Sequence, residues 1–409
     1  MALTEQGLVE EYIKLALAIE EHRPGYVDAY FGPEVWRQES KQVGKTPLPE
    51  LMKRVAQLTS NISQAYEMDA QRKDFLVRQV TAMQMSLRLL REDSVSLADE
   101  ASALYDVQPQ WKQEADFEEA HRELDQILPA GSSLEERNQK WKKSLEIPIE
   151  KARELFPVIL ERLRELTRQK FGLPEGESFQ VEFVSNQPWM AYNYYLGRYR
   201  SHIEINQDLT LSIDNLVETA AHEAYPGHHT ELANKEAKLI RQKKYEEHVV
   251  TLLNSPAAVI AEGIATSARE TILPEKELED WYRDDLLPRA GLTGIDPSRI
   301  TARSRVNKKS SGLEGNAAFM LFDQLKPPQE VRSYLQKYGL YNDKELNHIL
   351  RFISNAQDRS YIFTYHIGHD LLDQLFSKGD HIVYFKRLLQ EPVTPSQIRQ
   401  WIEDIDRPN

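Results

Sequence analysis

Three histidines and a glutamate fall within eight residues, His222-Glu223-Ala224-Tyr225-Pro226-Gly227-His228-His229, and a further carboxylate, Glu262, follows downstream. Neutral imidazoles plus one carboxylate, with a coordination position left for water, make the ligand set of a catalytic zinc site. Glu223, beside the first histidine, is placed to be the general base that takes a proton from that water. The donor set points to a zinc-dependent hydrolase with one zinc per chain.

The spacing needs a structural explanation. In the HExxH signature the two histidines sit one helical turn apart and converge on one metal. Here the second histidine comes six or seven residues after His222. On an unbroken helix His228 would be rotated by roughly 240° from His222. His229 would return to the right face but about 10 Å further along the axis, too far to share an ion bound at roughly 2 Å. Pro226-Gly227 resolves this. Proline breaks the helical ladder, and glycine tolerates the backbone of the resulting bulge. A two-residue bulge brings His228 to the second position, whereas a three-residue bulge brings His229. We take His228 as the ligand and His229 as the alternative.

The run from Ser255 to Thr266 opens with Ser-Pro, a helix start, and continues with small apolar residues around Glu262. A carboxylate inside such a helix is costly to bury unless it is paired or binds a metal. Gly263 would let another backbone approach closely, and Thr266, one turn on, could orient a ligand from behind.

The octapeptide followed by a Glu-Gly helix resembles the bacterial proteins of domain-of-unknown-function family 885, which are zincin-like and related in architecture to helical metallocarboxypeptidases. A second stretch, Phe363-Thr364-Tyr365-His366-Ile367-Gly368-His369, is similar to the family's Ser-Tyr-Lys-Ile-Gly segment. The resemblance covers roughly residues 180–375. This chain departs from the family at Ile264, where tryptophan is common, and at His366, where lysine is common. The resemblance implies a gluzincin arrangement, with His222, His228 or His229, and Glu262 at the metal and Glu223 as base. It also makes Tyr365 the first candidate to donate to the oxyanion of the tetrahedral intermediate, with His366 and His369 as alternatives.

These residues need elements to hold them. Residues 5–170 follow the helix period, for example Phe75, Val77, Val80, Met83, Leu87 and Leu90. Another helical stretch runs from about Leu134 through Leu166, with interruptions expected at Pro148 and Pro157. The pattern then changes to period two over Phe179–Val184 and His202–Asn206, with an aromatic segment from Trp189 to Tyr195 and a turn at Gly197 between them. After Glu262 helices return, apart from a loop-rich basic interval from Gly291 to Gly312. Its Arg299, Arg303 and Arg305 could hold a substrate carboxylate, although a solvated surface explains them as well. The expected fold is mainly α with a small β-sheet, zincin-like. It divides into a helical region at 1–170 and a catalytic region at 171–409. An edge strand beside the metal could pair with an extended peptide.

Composition fits an enzyme. The chain of 409 residues has no cysteine, which excludes disulfides, thiolate ligands and a cysteine nucleophile. A net charge of −13 opposes nucleic-acid binding. No apolar run approaches the ~18 residues of a membrane span. The start of the chain, Leu8 to Ala16, reads as an amphipathic helix rather than a signal peptide, so a cytoplasmic location is expected. The expected function is zinc-dependent hydrolysis of a peptide; a carboxypeptidase on short peptides is one form of it, and the sequence leaves cleavage from an end or internally open. The alternatives are a zinc hydrolase of another amide and a non-catalytic metal- or peptide-binding protein on the same scaffold. Glu223 weighs against the last, because a structural site needs ligands but no base.

Overall fold

Apolar residues at helical spacing bury one face of helix after helix. The computed structural model describes residues 4–187, 189–355 and 358–407 and is mainly α with two small sheets. One core packs Leu8, Tyr12, Leu51, Phe75 and Val80 from the early helices against Val249, Val250 and Leu252 from the middle of the chain. A larger core joins Phe156, Ile203, Val217, Tyr225, Ile260, Leu372 and Phe385. The helices that carry His222, Glu262 and Tyr365 contribute Val217, Ile260 and Leu372 to this larger core.

Five strands are present among the described residues. Strands β1 (Val27–Tyr30) and β5 (Val250–Leu252) pair antiparallel. Strands β2 (Ser178–Val184), β3 (Ala191–Gly197) and β4 (Arg200–Asn206) form a sheet of order β2-β4-β3. In it β2 runs parallel to β4, and β3 antiparallel. The aromatic segment thus contributes a strand, as expected of Tyr192, Tyr194 and Tyr195, whose rings suit a pleated surface. β3 lies at an edge of the sheet.

Two expectations for the helices are corrected. The chain breaks at Pro148, which caps the next helix, but that helix, Ile149–Phe171, runs straight through Pro157. Pro157 is exposed, while Leu155, Phe156, Ile159, Leu160 and Leu163 anchor the opposite face in the core. Their burial outweighs the roughly 3 kcal/mol cost of an internal proline. The basic interval is also no loop through most of its length, because Asp296 caps a helix over Pro297–Lys309. No helix of the described residues is long and apolar enough to cross a membrane.

Candidate metal centre

The helix Ile213–Glu223 ends directly after His222-Glu223, and a new helix, His228–Lys235, begins at His228. Between them the amide of Gly227 donates to the Ala221 carbonyl and that of Thr230 to the Ala224 carbonyl, each reaching back six residues. Helical bonds reach back four, so the ladder contains two extra residues. This is the two-residue bulge, and the Tyr225–Pro226 peptide within it is cis. Glycine is required in it. A Cβ on Gly227 would lie 1.8 Å from the His222 carbonyl oxygen.

The bulge brings the second imidazole back to the first. His222 Nε2 and His228 Nε2 are 3.2 Å apart, and Glu262 Oε2 is 3.4 Å from His222 Nε2. Donor atoms of all three residues lie within 4.8 Å of one another. Ligands at roughly 2.0–2.1 Å around a tetrahedral zinc are separated by about 3.3–3.4 Å, so the two measured edges fit such an ion. Glu262 Oε2 is buried and has no hydrogen-bond partner among the described residues. The residues present therefore fit a zinc ion.

Glu262 belongs to the helix Pro256–Ile272, and its neighbour Gly263 lies against Gly368 of the helix Ile362–Lys378. A Cβ on Gly368 would stand 2.5 Å from the Val259 carbonyl oxygen. The close approach expected at Gly263 is this helix crossing. It brings in a residue that the sequence did not single out: Tyr361 donates to Glu262 Oε1 at 2.8 Å. Thr266 bonds the backbone carbonyl of Glu262 at 2.7 Å, so it supports the helix rather than the carboxylate.

His229 takes no part in this triangle. It is fully buried, with Nδ1 2.8 Å from Ser201 Oγ and Nε2 3.1 Å from Glu177 Oε2. Glu177 also accepts from Tyr225 and Arg164. The second histidine of the pair pins the bulge to β4 and to the segment before β2.

Glu223 and the three candidate ligands line a cavity of about 990 Å³, together with Tyr361, Tyr365 and the β3 residues Ala191, Tyr192 and Asn193. Asn193 donates to the Glu223 carbonyl at 2.6 Å, satisfying an acceptor that the helix end leaves open. The hydroxyl of Tyr365 has no hydrogen-bond partner among the described residues. Neither His366 nor His369 is among the described lining residues, and nor are Arg299, Arg303 and Arg305. His366 is buried, while His369 pairs with Glu270 and Asp370. Arg303 bonds Asn138, and Arg299 and Arg305 pair with Asp296 and Glu275.

Burial sets the protonation of the cluster. It holds His228 down at about 4, and with the neighbouring His228 it holds His222 well below its ordinary value, so both imidazoles are neutral donors. Burial and the charges of Glu262 and Asp28 raise Glu223 to about 8. Burial also raises Glu262 to about 8, against the Tyr361 hydrogen bond, with Asp28 and Glu231 adding to the rise. Burial and the charges of Glu262 and Glu223 push the Tyr365 hydroxyl far up, so it remains a donor.

No family model matches the chain, and no curated protein matches its sequence. Among solved structures, "the putative lipoprotein from Colwellia psychrerythraea" superposes with a TM-score of 0.50 at 13% identity, over 98% of this chain and 77% of that one. The likeness is one of fold. The structure titled BsuCP gives 0.48 at 11% identity, over 98% of this chain and 91% of that one. A Pyrococcus furiosus carboxypeptidase gives 0.42 at 15%, over 100% and 93%.

Proposed function

We propose that the protein is a zinc-dependent peptide hydrolase of zincin-like architecture, with His222, His228 and Glu262 as ligands and Glu223 as base. The observation that supports this most is a His222–His228–Glu262 donor cluster, two of whose edges match a tetrahedral ion, with an adjacent carboxylate on the same cavity wall. A structural metal site has no use for that carboxylate.

When bound, zinc would lower the pKa of a water molecule and polarise the substrate carbonyl. Glu223, its proton affinity raised by burial, takes the proton of the attacking water and passes it to the leaving nitrogen. Tyr361 fixes Glu262 by its hydrogen bond. Tyr365, uncommitted to any described partner, donates to the oxyanion. The edge of β3 beside Glu223 offers backbone groups to an extended peptide. The cavity volume reaches the upper part of the usual ligand-site range of roughly 300–1,000 Å³, which suits a short peptide. A cytoplasmic location belongs to the same reading.

Glu223→Gln tests the assignment. Elemental analysis should find about one zinc per chain in both wild type and variant, with hydrolysis of a peptide library lost only in the variant. Retained turnover in Glu223→Gln would remove Glu223 from the base role. A wild type that takes up no zinc would favour the non-catalytic reading.

A further inference from the structure

The cavity wall is charged unevenly. Besides Glu223 and Glu262, six carboxylates line it, namely Asp28, Glu218, Glu231, Glu236, Glu314 and Asp358, against two cations, Lys235 and Arg351. Most of the six are already engaged. Glu218, Glu236 and Asp358 pair with Arg269, Arg241 and Arg23, Glu231 holds Lys235, and Glu314 accepts from Tyr341. Two of the six have no cationic partner among the described residues: Asp28 accepts from the neutral hydroxyl of Tyr192, and Glu314 from that of Tyr341.

Asp28 is also close to the reacting groups. It sits on β1, and its partner Tyr192 precedes Asn193, which bonds the Glu223 carbonyl. Glu223, Glu262 and Tyr361 all feel the Asp28 charge. The same wall holds acceptors that lack protein donors. Gln79 is only 3% exposed and makes no hydrogen bond among the described residues, and Asn193 Oδ1 and Glu231 Oε2 are likewise buried and unpaired. Buried acceptors are costly when unmatched, and a donor-rich ligand offsets that cost.

A site for a carboxyl terminus needs the opposite character. Its free carboxylate would have to meet a cation; Lys235 is held by Glu231, which leaves Arg351 as the one lining cation without an ion pair among the described residues, against Asp28 and Glu314, which no cation pairs. We propose that the site selects peptides by an ammonium group, received by Asp28 as the specificity-determining carboxylate. This rests on the hydrolase reading and directs it away from carboxypeptidase action. The ammonium is that of the peptide's amino terminus or of a lysine side chain.

Four peptides separate the possibilities: tetra-alanine, its N-acetyl form, its C-terminal amide, and N-acetyl-Ala-Lys-Ala-Ala. With the zinc-loaded wild type, acetylation should lower kcat/KM by about tenfold or more, while amidation should not. Recovery in the lysine peptide would assign the ammonium to a side chain, and no recovery would assign it to the amino terminus. Asp28→Asn should abolish the discrimination between free and acetylated peptides. Equal cleavage of the two by wild type, a larger loss on amidation than on acetylation, or unchanged discrimination in a folded Asp28→Asn would each overturn the proposal. Calorimetric titration of the four peptides into zinc-loaded Glu223→Gln measures binding separately from turnover. Preference for the free amine there supports the proposal even if no peptide is hydrolysed, a result that would count against the hydrolase reading alone. Binding that ignores acetylation, or no binding, overturns it.

Discussion

Adjacent histidines with opposite duties make a sharp test, because two single substitutions one residue apart should fail in different ways. His228 contributes an Nε2 that faces His222 Nε2 at 3.2 Å, whereas His229 is fully buried between Ser201 and Glu177. His228→Ala removes one of the three proposed ligands. The zinc dissociation constant should rise by more than the roughly 10–100-fold typical of losing an outer hydrogen-bond partner, with little change in metal-free stability. His229→Ala removes one of the three side chains whose hydrogen bonds hold the Glu177 carboxyl below its ordinary value against burial. It also unpairs Ser201. A lost hydrogen bond to a charged group costs about 1.5–3 kcal/mol, and the small cavity adds to it, so destabilisation of about 3–4 kcal/mol is expected. Chelator competition reads the first quantity and denaturant unfolding of the metal-free protein the second. If His228→Ala keeps zinc at wild-type affinity while a folded His229→Ala loses it, the two-residue bulge does not set the ligand and the reasoning is refuted.

Gly227→Ala should fold poorly or lose zinc, since its Cβ would be 1.8 Å from the His222 carbonyl oxygen and overpacking costs about 1–3 kcal/mol or more; unchanged zinc content and stability would contradict the bulge geometry. Tyr361→Phe should weaken zinc binding about 10–100-fold by releasing Glu262, whereas Tyr365→Phe should spare zinc and lower kcat about 100-fold. Equal effects of the two on zinc affinity would argue against separate roles. Away from the site, burial opposes the charge of His369, but its pairing with Asp370 and Glu270 prevails and raises it from 6.5 to about 9. Against burial, His369 and Lys308 lower Glu270, and His369 and Lys112 lower Asp370, each to about 2. The raised histidine stabilises fully below pH 6.5 and loses its contribution as pH rises through about 9. The lowered carboxylates contribute above about 4.5 and lose it as pH falls through about 2. Unfolding free energy against pH should therefore decline on the alkaline side, and His369→Gln should flatten that limb; an identical profile in the variant would exclude the network as its cause.

The gathering of His222, His228 and Glu262 was readable because most of its information is local. Pro226-Gly227 announces the bulge, and the size of the bulge decides between His228 and His229 by helical geometry alone. The small sheet was readable from alternation, and β3 in part from its aromatic residues. What stayed hidden depends on distant partners. β1 and β5 are four and three residues long, too short for a period, and they exist because their pairing brings residue 27 against residue 252. Pro157 misleads because local propensity opposes the helix while tertiary packing decides it. Tyr361 lies one turn before Tyr365, so its contact with Glu262 was within reach of helical spacing, but it is the Gly263–Gly368 crossing that brings that face to Glu262. Asp28 gave no signal at all. An isolated aspartate on a short strand has nothing in its neighbourhood to mark it.

The charge balance of the site links its parts. Asp28, Glu223 and Glu262 line one cavity with the two neutral imidazoles, and each carboxyl is held above its ordinary value chiefly by burial. Such a group of acids is unfavourable unless protons or cations balance it. A divalent ion at the His222–His228–Glu262 triangle would balance Glu262 and favour the charged form of Glu223, leaving Asp28 as the one of the three still unmatched. A substrate ammonium supplies the missing charge where a substrate carboxylate would add to the excess. Metal and substrate binding should then reinforce each other. Zinc-loaded Glu223→Gln should bind a free-amine peptide more tightly than the metal-free variant does, and by linkage the peptide should tighten zinc by the same factor. Equal peptide affinity with and without zinc would show that the two cationic positions do not share one field.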